Sequence, residues 1–272
     1  MGKFSGILLC TDLDDTLLTT DKRVSDENKE AIEYFKKEGG AFAFATGRVP
    51  LGAKPIIEQV MPNAPSVCFN GSVIYDFVNR EMLWSKAIDK GAVKMVEFVE
   101  KNFPTAGIEV CTADKVYFCK VNRLVERHRQ IERFPDNYGD YHDIDEDWCK
   151  VIFMVEEDEM AELRELIDNC EYAKNYSFVR SSPWYYELLP YGAHKGSGLI
   201  RLGELMGIKK ENIYAMGDNE NDLELVRAAG TGIAVANAAK CVKDASDYIT
   251  TADNNSHAAK EVIEMIESRL GQ

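Results

Sequence analysis

The N-terminal part of the chain alternates short, wholly apolar runs with amphipathic stretches. Ile7-Leu8-Leu9-Cys10 is apolar at every position, so both faces of an extended strand there would be buried. Ser25 has the chemistry of a helix N-cap, with Asp26 and Glu27 placed where the helix dipole favours acids. Ala31, Ile32, Tyr34 and Phe35 then trace a helical stripe that stops at Gly39-Gly40. The run Ala41 to Ala45 predicts a second strand ending in Thr46-Gly47-Arg48, and Pro50 and Pro55 bracket the start of another helix. Ser66 to Phe69, broken at Asn70-Gly71-Ser72 and resumed at Val73-Ile74-Tyr75, is a hairpin pattern. Strand, helix and strand in such close order predict a βαβ unit, a parallel sheet and the α/β class.

From about Arg80 to Pro183 the rhythm changes. The pattern predicts a helix over 89–103 with Val93, Val96 and Val99 inward and two strands around Ala113-Asp114. A charged helix over 121–134, with His128 on a face expected to be solvated, follows, and then strand, helix and strand over 150–179. The sheet begun at Ile7 has not yet received its remaining strands, so this segment is expected to be an inserted α+β domain. The core is expected over 1–79 and 184–272, the insertion over 80–183. Tyr185 to Leu189 is read as a core strand, followed by a helix over 197–206 closed by Gly207 and a strand over 213–216.

Composition narrows the partners. The 272 residues carry 45% hydrophobic and 29% charged positions, ordinary for a soluble globular protein with room for two domains. A net charge of -14 repels nucleic-acid phosphates and anionic membranes, so neither is expected as a partner, and an anionic ligand must be drawn in by local positive charge. Seven cysteines without CxxC spacing point to free thiols and a cytoplasmic location rather than a disulfide framework or zinc. The short apolar run near the start is neither a signal peptide nor a membrane span.

The candidate chemistry lies at strand ends. The first strand runs into Asp12-Leu13-Asp14-Asp15-Thr16-Leu17-Leu18. Asp12 and Asp14 are two apart, so in an extended segment they point the same way, and one can attack while the other moves a proton. Thr46, at the end of a neighbouring parallel strand, is expected beside Asp12, where its hydroxyl could donate to a phosphoryl oxygen. The predicted strand over 213–216 runs into Gly217-Asp218-Asn219-Glu220-Asn221-Asp222. Asp218 and Asp222 added to Asp12 and Asp14 would repel one another without a hard dication, and oxygen-only ligands point to Mg²⁺. Lys195 stands at a helix N-terminus, where its charge opposes the dipole, so another role is expected for it; the adjacent His194 is read as structural.

These four stretches resemble the haloacid dehalogenase-like (HAD) superfamily of aspartyl-phosphate enzymes, Cof-type branch. The resemblance implies a Rossmann-like doubly wound parallel core with a large α+β cap over 80–183. It implies a phosphatase acting on small phosphorylated metabolites such as sugar phosphates, with Asp12 as nucleophile and Asp14 as general acid and base. Mg²⁺ would sit on Asp12, Asp218 and the backbone carbonyl of Asp14, with Asp222 holding a metal-bound water. Thr46, Lys195 and Asn221 would stabilise the phosphoryl group with Arg48 nearby, in a stretch that includes Gly47, and Asn70 is a secondary substrate contact. Tyr117, Arg180, Ser182 and Trp184 are cap residues expected to touch substrate or to pack. One departure is Asp15, where many members have Gly; its carboxylate either disturbs the metal site or points into the following turn. Ser256-His257 likewise replaces the Asp-Gly often seen before the last helix. A phosphosugar mutase on the same core and a phospho-Asp signalling receiver are the alternatives, and the oligomeric state is not legible.

Overall fold

A computed structural model describes residues 2–271. The chain forms two compact units, one of residues 1–48, 53–84 and 194–272, the other of 49–52 and 85–193.

The first unit opens with β1 (Leu8–Thr11), α1 (Asp26–Lys37) and β2 (Ala41–Phe44). The Ser25 hydroxyl caps α1 by accepting from the Asn28 amide at 3.3 Å. After a single turn, α2 (Lys54–Ile57), come β3 (Ser66–Cys68), β4 (Val73–Asp76) and β5 (Glu81–Ser85). The expected hairpin forms, with Val67 opposite Ile74.

The second unit contains α3 (Ala92–Asn102), β6 (Gly107–Thr112), β7 (Val116–Lys120), α4 (Arg123–Glu132), β8 (Trp148–Met154), α5 (Met160–Asp168), β9 (Tyr176–Ser182) and β10 (Tyr185–Pro190). Its sheet runs β7-β6-β8-β10-β9, each strand antiparallel to its neighbours. Ala92, Met95, Val96 and Val99 of α3 are buried against the sheet's Ile108, Val110, Val151, Phe153 and Leu188, while Val93 is only partly buried. The Nζ of Lys86 donates to the Tyr191 carbonyl at 2.7 Å, joining the segment by which the chain enters this unit to the one by which it leaves.

Two sequence expectations change here. Tyr185–Pro190, read as a core strand, lies between β8 and β9, with Glu187 opposite Ile152 and Val179. An apolar strand carries no mark of which sheet it joins, and the tight hairpin from β9 pairs it with that strand. His128 does not face solvent: its Nδ1 lies 3.0 Å from the fully buried Glu109 carboxylate, because the helix turns Leu124, Val125 and His128 inward.

The chain then returns through α6 (Lys195–Met206), β11 (Ile213–Gly217), α7 (Leu223–Ala228), β12 (Thr231–Ala234), α8 (Lys240–Ala245), β13 (Tyr248–Ile249) and α9 (Ala258–Leu270). The core sheet is β13-β12-β11-β1-β2, parallel throughout, and a parallel bridge from Ala45 to Val67 continues it to β3. Leu8 and Cys10 share a buried cluster with Leu199 and Leu202 of α6 and Leu225 of α7. Successive strand residues alternate faces, so Leu9 turns to the opposite side. The strand order reverses at β1, with β2 and β3 on one side and β11 to β13 on the other. In such sheets ligands bind where the order switches, outside the carboxyl ends of the strands. Thr11, the last residue of β1, pairs with Phe44 and Met216, so the segments after β1, β2 and β11 emerge together. Among the described residues no helix is long and apolar enough to cross a membrane.

Candidate active site

The candidate residues of the four motifs, and Asn70, lie in the first unit. Asp12 leaves β1 with its amide donating to the Met216 carbonyl at 3.0 Å, which fixes it at the strand mouth. Lys195 comes from the first turn of α6, where the His194 ring accepts from the Ser197 amide at 3.1 Å and the Ser197 hydroxyl returns a bond to the His194 carbonyl at 2.8 Å. His194 is thus the cap that starts the helix, in keeping with a structural role. The cap aims the fully buried Lys195 side chain inward, where Nζ donates to Asp12 Oδ1 at 2.7 Å and Asp222 Oδ1 at 2.6 Å.

Asp222 is held on its other side too. Its Oδ2 accepts from the backbone amides of Asp218 and Asn219, each at 3.1 Å, closing the loop after β11. Gly217 makes that closure possible: a Cβ there would come within 2.4 Å of the Asp222 Cβ. Asp218 accepts from the Thr16 hydroxyl at 2.6 Å. Carboxylate oxygens of Asp12, Asp218 and Asp222 all lie within 4.8 Å of one another.

Three carboxylates against one ammonium leave an excess of buried negative charge. Burial, then the charge of Asp222, raise the Asp12 carboxyl well above its ordinary value against the pull of Lys195. The same two causes push Asp218 up to about 7, against the bond from Thr16. Burial works against the charge of Lys195, but Asp12 and Asp222 outweigh it and hold the lysine above its usual value. Carboxylates crowded until they resist ionisation, all offering oxygen, are a donor set suited to a hard divalent cation. The cluster can bind such a metal.

Asp14 stands apart from this cluster. Its carboxylate turns to Arg48, which donates from Nε at 2.9 Å and from Nη2 at 3.0 Å, and to Lys22, whose Nζ donates at 3.0 Å. Burial acts to raise its pKa, but Arg48 and then Lys22 prevail and hold it at about 2. The Asp14 carboxylate is therefore no part of the three-carboxylate cluster. Asp15 has φ +56°, in the left-handed region where a Cβ is disfavoured, which accounts for glycine being usual there. Its side chain is outside the three-carboxylate cluster and lies 3.8 Å from Lys22, so the extra acid points into the turn.

The second stretch is tied to the third. Thr46, buried, accepts from the Arg48 amide at its hydroxyl (3.1 Å) and from the Asn70 amide at its carbonyl (3.0 Å). Gly47 packs on the Asn70 side chain, where a Cβ would meet Nδ2 at 2.9 Å. Asn221 Nδ2 donates to Asn70 Oδ1 at 3.3 Å, so Asn70 links the loops after β2 and β11. Sequence reasoning missed two participants. Thr16 stood inside the first motif, and a hydroxyl four residues past Asp12 was a readable signal. Lys22 lies in a turn with no pattern to mark it. In the second unit the named residues have local partners: Tyr117 donates to Glu146 at 2.8 Å, Arg180 to the Ser182 carbonyl at 3.2 Å, and the Arg127 guanidinium lies 4.7 Å from the centre of the Trp184 ring.

A family model described as haloacid dehalogenase-like hydrolase matches residues 9–263. The chain is 28% identical over 255 residues to the 5-amino-6-(5-phospho-D-ribitylamino)uracil phosphatase YcsE of Bacillus subtilis (strain 168), covering 94% of each. It is 24% identical over 266 residues to the pyridoxal phosphate phosphatase YbhA of Escherichia coli (strain K12), covering 94% of this chain and 97% of that protein. Among solved structures, a haloacid dehalogenase-like hydrolase from Bacteroides thetaiotaomicron superposes with a TM-score of 0.80 at 26% identity, covering 96% of this chain and 99% of the other.

Proposed function

The chain belongs to the haloacid dehalogenase-like hydrolases, and from that premise we propose that it is a Mg²⁺-dependent phosphatase of small phosphorylated metabolites, working through an aspartyl-phosphate on Asp12. The observation that carries this reading is the ammonium of Lys195 between the buried carboxylates of Asp12 and Asp222, at the mouth of β1. Relatives of the same length act, by their names, on a ribitylaminouracil phosphate and on pyridoxal phosphate. Both are small phosphomonoesters, which supports the substrate class.

In the first step an Asp12 oxygen attacks phosphorus, the ester P–O bond breaks, and Asp14 gives its proton to the leaving oxygen. Arg48 and Lys22 keep Asp14 ionised in the free protein; as an incoming phosphoryl group competes for Arg48, Asp14 takes up the proton that a monoanionic phosphate ester brings with it. In the second step water attacks phosphorus, its proton passes to Asp14, and the bond to Asp12 breaks to release phosphate. Lys195 holds Asp12 in place and, with Thr46 and Asn221, offers donors to the phosphoryl oxygens as charge moves onto them. Asp12 and Asp218, with the Asp14 carbonyl and, through water, Asp222, would hold Mg²⁺, which would neutralise charge on the transferring group; Asp222 also orients Lys195.

The test is phosphate release from p-nitrophenyl phosphate and a panel of phosphorylated metabolites. Release is expected with Mg²⁺, to cease in excess EDTA, and to be lost in Asp12→Asn with the fold intact by circular dichroism. An Asp12→Asn rate within tenfold of wild type would sink the nucleophile assignment.

A further inference from the structure

We propose that Asn255, in the loop before α9, is a positioning residue for the hydrolysis, acting through Lys22 on Asp14. The inference rests on the phosphatase reading and concerns a loop that the reading leaves without a role.

Lys22 sits in a turn with no strand or helix to hold it, and its φ of +57° is one that a residue with a side chain adopts only when its surroundings impose it. Within the turn, the Thr19 amide donates to the Arg23 carbonyl and the Lys22 amide to the Thr19 carbonyl, both at 2.8 Å. What anchors the turn comes from more than 230 positions further along the chain. Asn255 Oδ1 accepts from the Thr20 amide at 3.0 Å, and its Nδ2 donates to the Thr20 hydroxyl at 3.2 Å. Asn254, buried, donates to the Leu18 carbonyl at 3.0 Å. The Asn254 amide donates to Asn237 Oδ1 at 3.0 Å, and Asn237 Nδ2 donates to the Asp15 carbonyl at 2.7 Å. His257, in the left-handed conformation at φ +68°, places its Nδ1 3.0 Å from the Ser25 hydroxyl and so ties the same loop to the start of α1.

The oxygen and the nitrogen of the Asn255 side-chain amide both grip one residue, Thr20, two positions before Lys22. An amide side chain that accepts from a backbone N–H and donates to a hydroxyl fixes both position and orientation, which a single contact does not. The Lys22 ammonium then reaches Asp14 Oδ1, the same oxygen that Arg48 Nη2 contacts, and lies 3.8 Å from Asp15. Arg48, the more buried, and Lys22, half-exposed, grip Asp14 together. With Lys22 displaced, one side of the carboxylate is released.

The test is a double-mutant cycle on Mg²⁺-dependent turnover of p-nitrophenyl phosphate. Because both partners of the Lys22–Asp14 pair are partly exposed, Lys22→Ala is expected to lower kcat about threefold to fivefold with KM little changed. Asn255→Ala should lower it by a similar factor, and the double variant should be no slower than Lys22→Ala alone. Asn255→Asp, which keeps the acceptor for the Thr20 amide, should recover part of the loss. If Asn255→Ala does not fold, Asn255→Asp and Thr20→Val, which removes the hydroxyl acceptor, carry the same cycle. Factors that multiply in the double variant, or an Asn255→Ala at the wild-type rate, overturn the proposal. Asp14→Asn turning over at the wild-type rate would instead overturn the phosphatase mechanism beneath it.

Discussion

The Nζ of Lys195 lies 2.7 Å from Oδ1 of Asp12, and the lysine side chain is wholly sealed from water. Removing one member of a buried pair leaves the other charge uncompensated, at a cost of about 3 to 5 kcal/mol. Lys195→Met is therefore expected to lose turnover and to fall in melting temperature in EDTA. Mg²⁺ should restore part of that stability, since a dication answers the same three carboxylates. Chemical denaturation with and without Mg²⁺ measures both; a Lys195→Met variant as stable as wild type in EDTA contradicts the assignment.

Asp218 provides a pH test. Its pKa of about 7 lies above the ordinary carboxylate value, so the folded protein binds this proton more tightly than the unfolded chain. The associated stability is fully present below about pH 4, the unfolded value, and is lost as pH rises through about 7. In EDTA, stability should decline across that window. A bound cation favours the ionised carboxylate, so the stabilisation given by Mg²⁺ should grow from pH 5 to pH 8. Thermal melts in matched buffers test this, and a Mg²⁺ effect independent of pH speaks against the cluster as the metal site.

Asp14→Asn separates the two chemical steps. Nitrophenolate leaves without a proton whereas a sugar alkoxide does not, and general acid catalysis is worth on the order of 10² to 10⁴ in rate. The variant should release about one equivalent of nitrophenol in a burst and then stall as a phosphoenzyme. A sugar phosphate should give no burst. Rapid quench with mass detection of the protein decides it, equal slowing of both first steps being the adverse result.

Asp15→Gly should be mild. The residue holds a left-handed conformation that glycine adopts without strain, and its carboxylate is outside the metal cluster. Turnover within about twofold of wild type and an unchanged Mg²⁺ requirement are expected; a large shift in the metal requirement would return Asp15 to the site.

What the sequence disclosed, and what it withheld, follows from the range of the forces involved. Asp12, Thr46 and Asp218 each stand where an apolar run stops and Lys195 where a helix begins, and a local pattern announces such places. The parallel order around β1 followed from short apolar strands separated by helices. The partner of Tyr185–Pro190 did not, because the hairpin from β9, not the apolar run itself, decides the pairing. Asp14 was expected to point the same way as Asp12, yet its side chain pairs with Arg48 and Lys22, a choice made by charges from other turns. The grip of Asn255 on Thr20 spans almost the whole chain and leaves no local trace.

The hydrogen bond from Lys86 to the Tyr191 carbonyl brings the two ends of a stretch of about a hundred residues side by side. A segment whose ends already meet behaves as a graft on a short stem: lengthening, shortening or replacing it costs the remaining chain little closure entropy. None of the carboxylates around Lys195 belongs to that graft. The insertion can therefore change in length or content without lengthening the loop that the strands carrying the acid cluster must close.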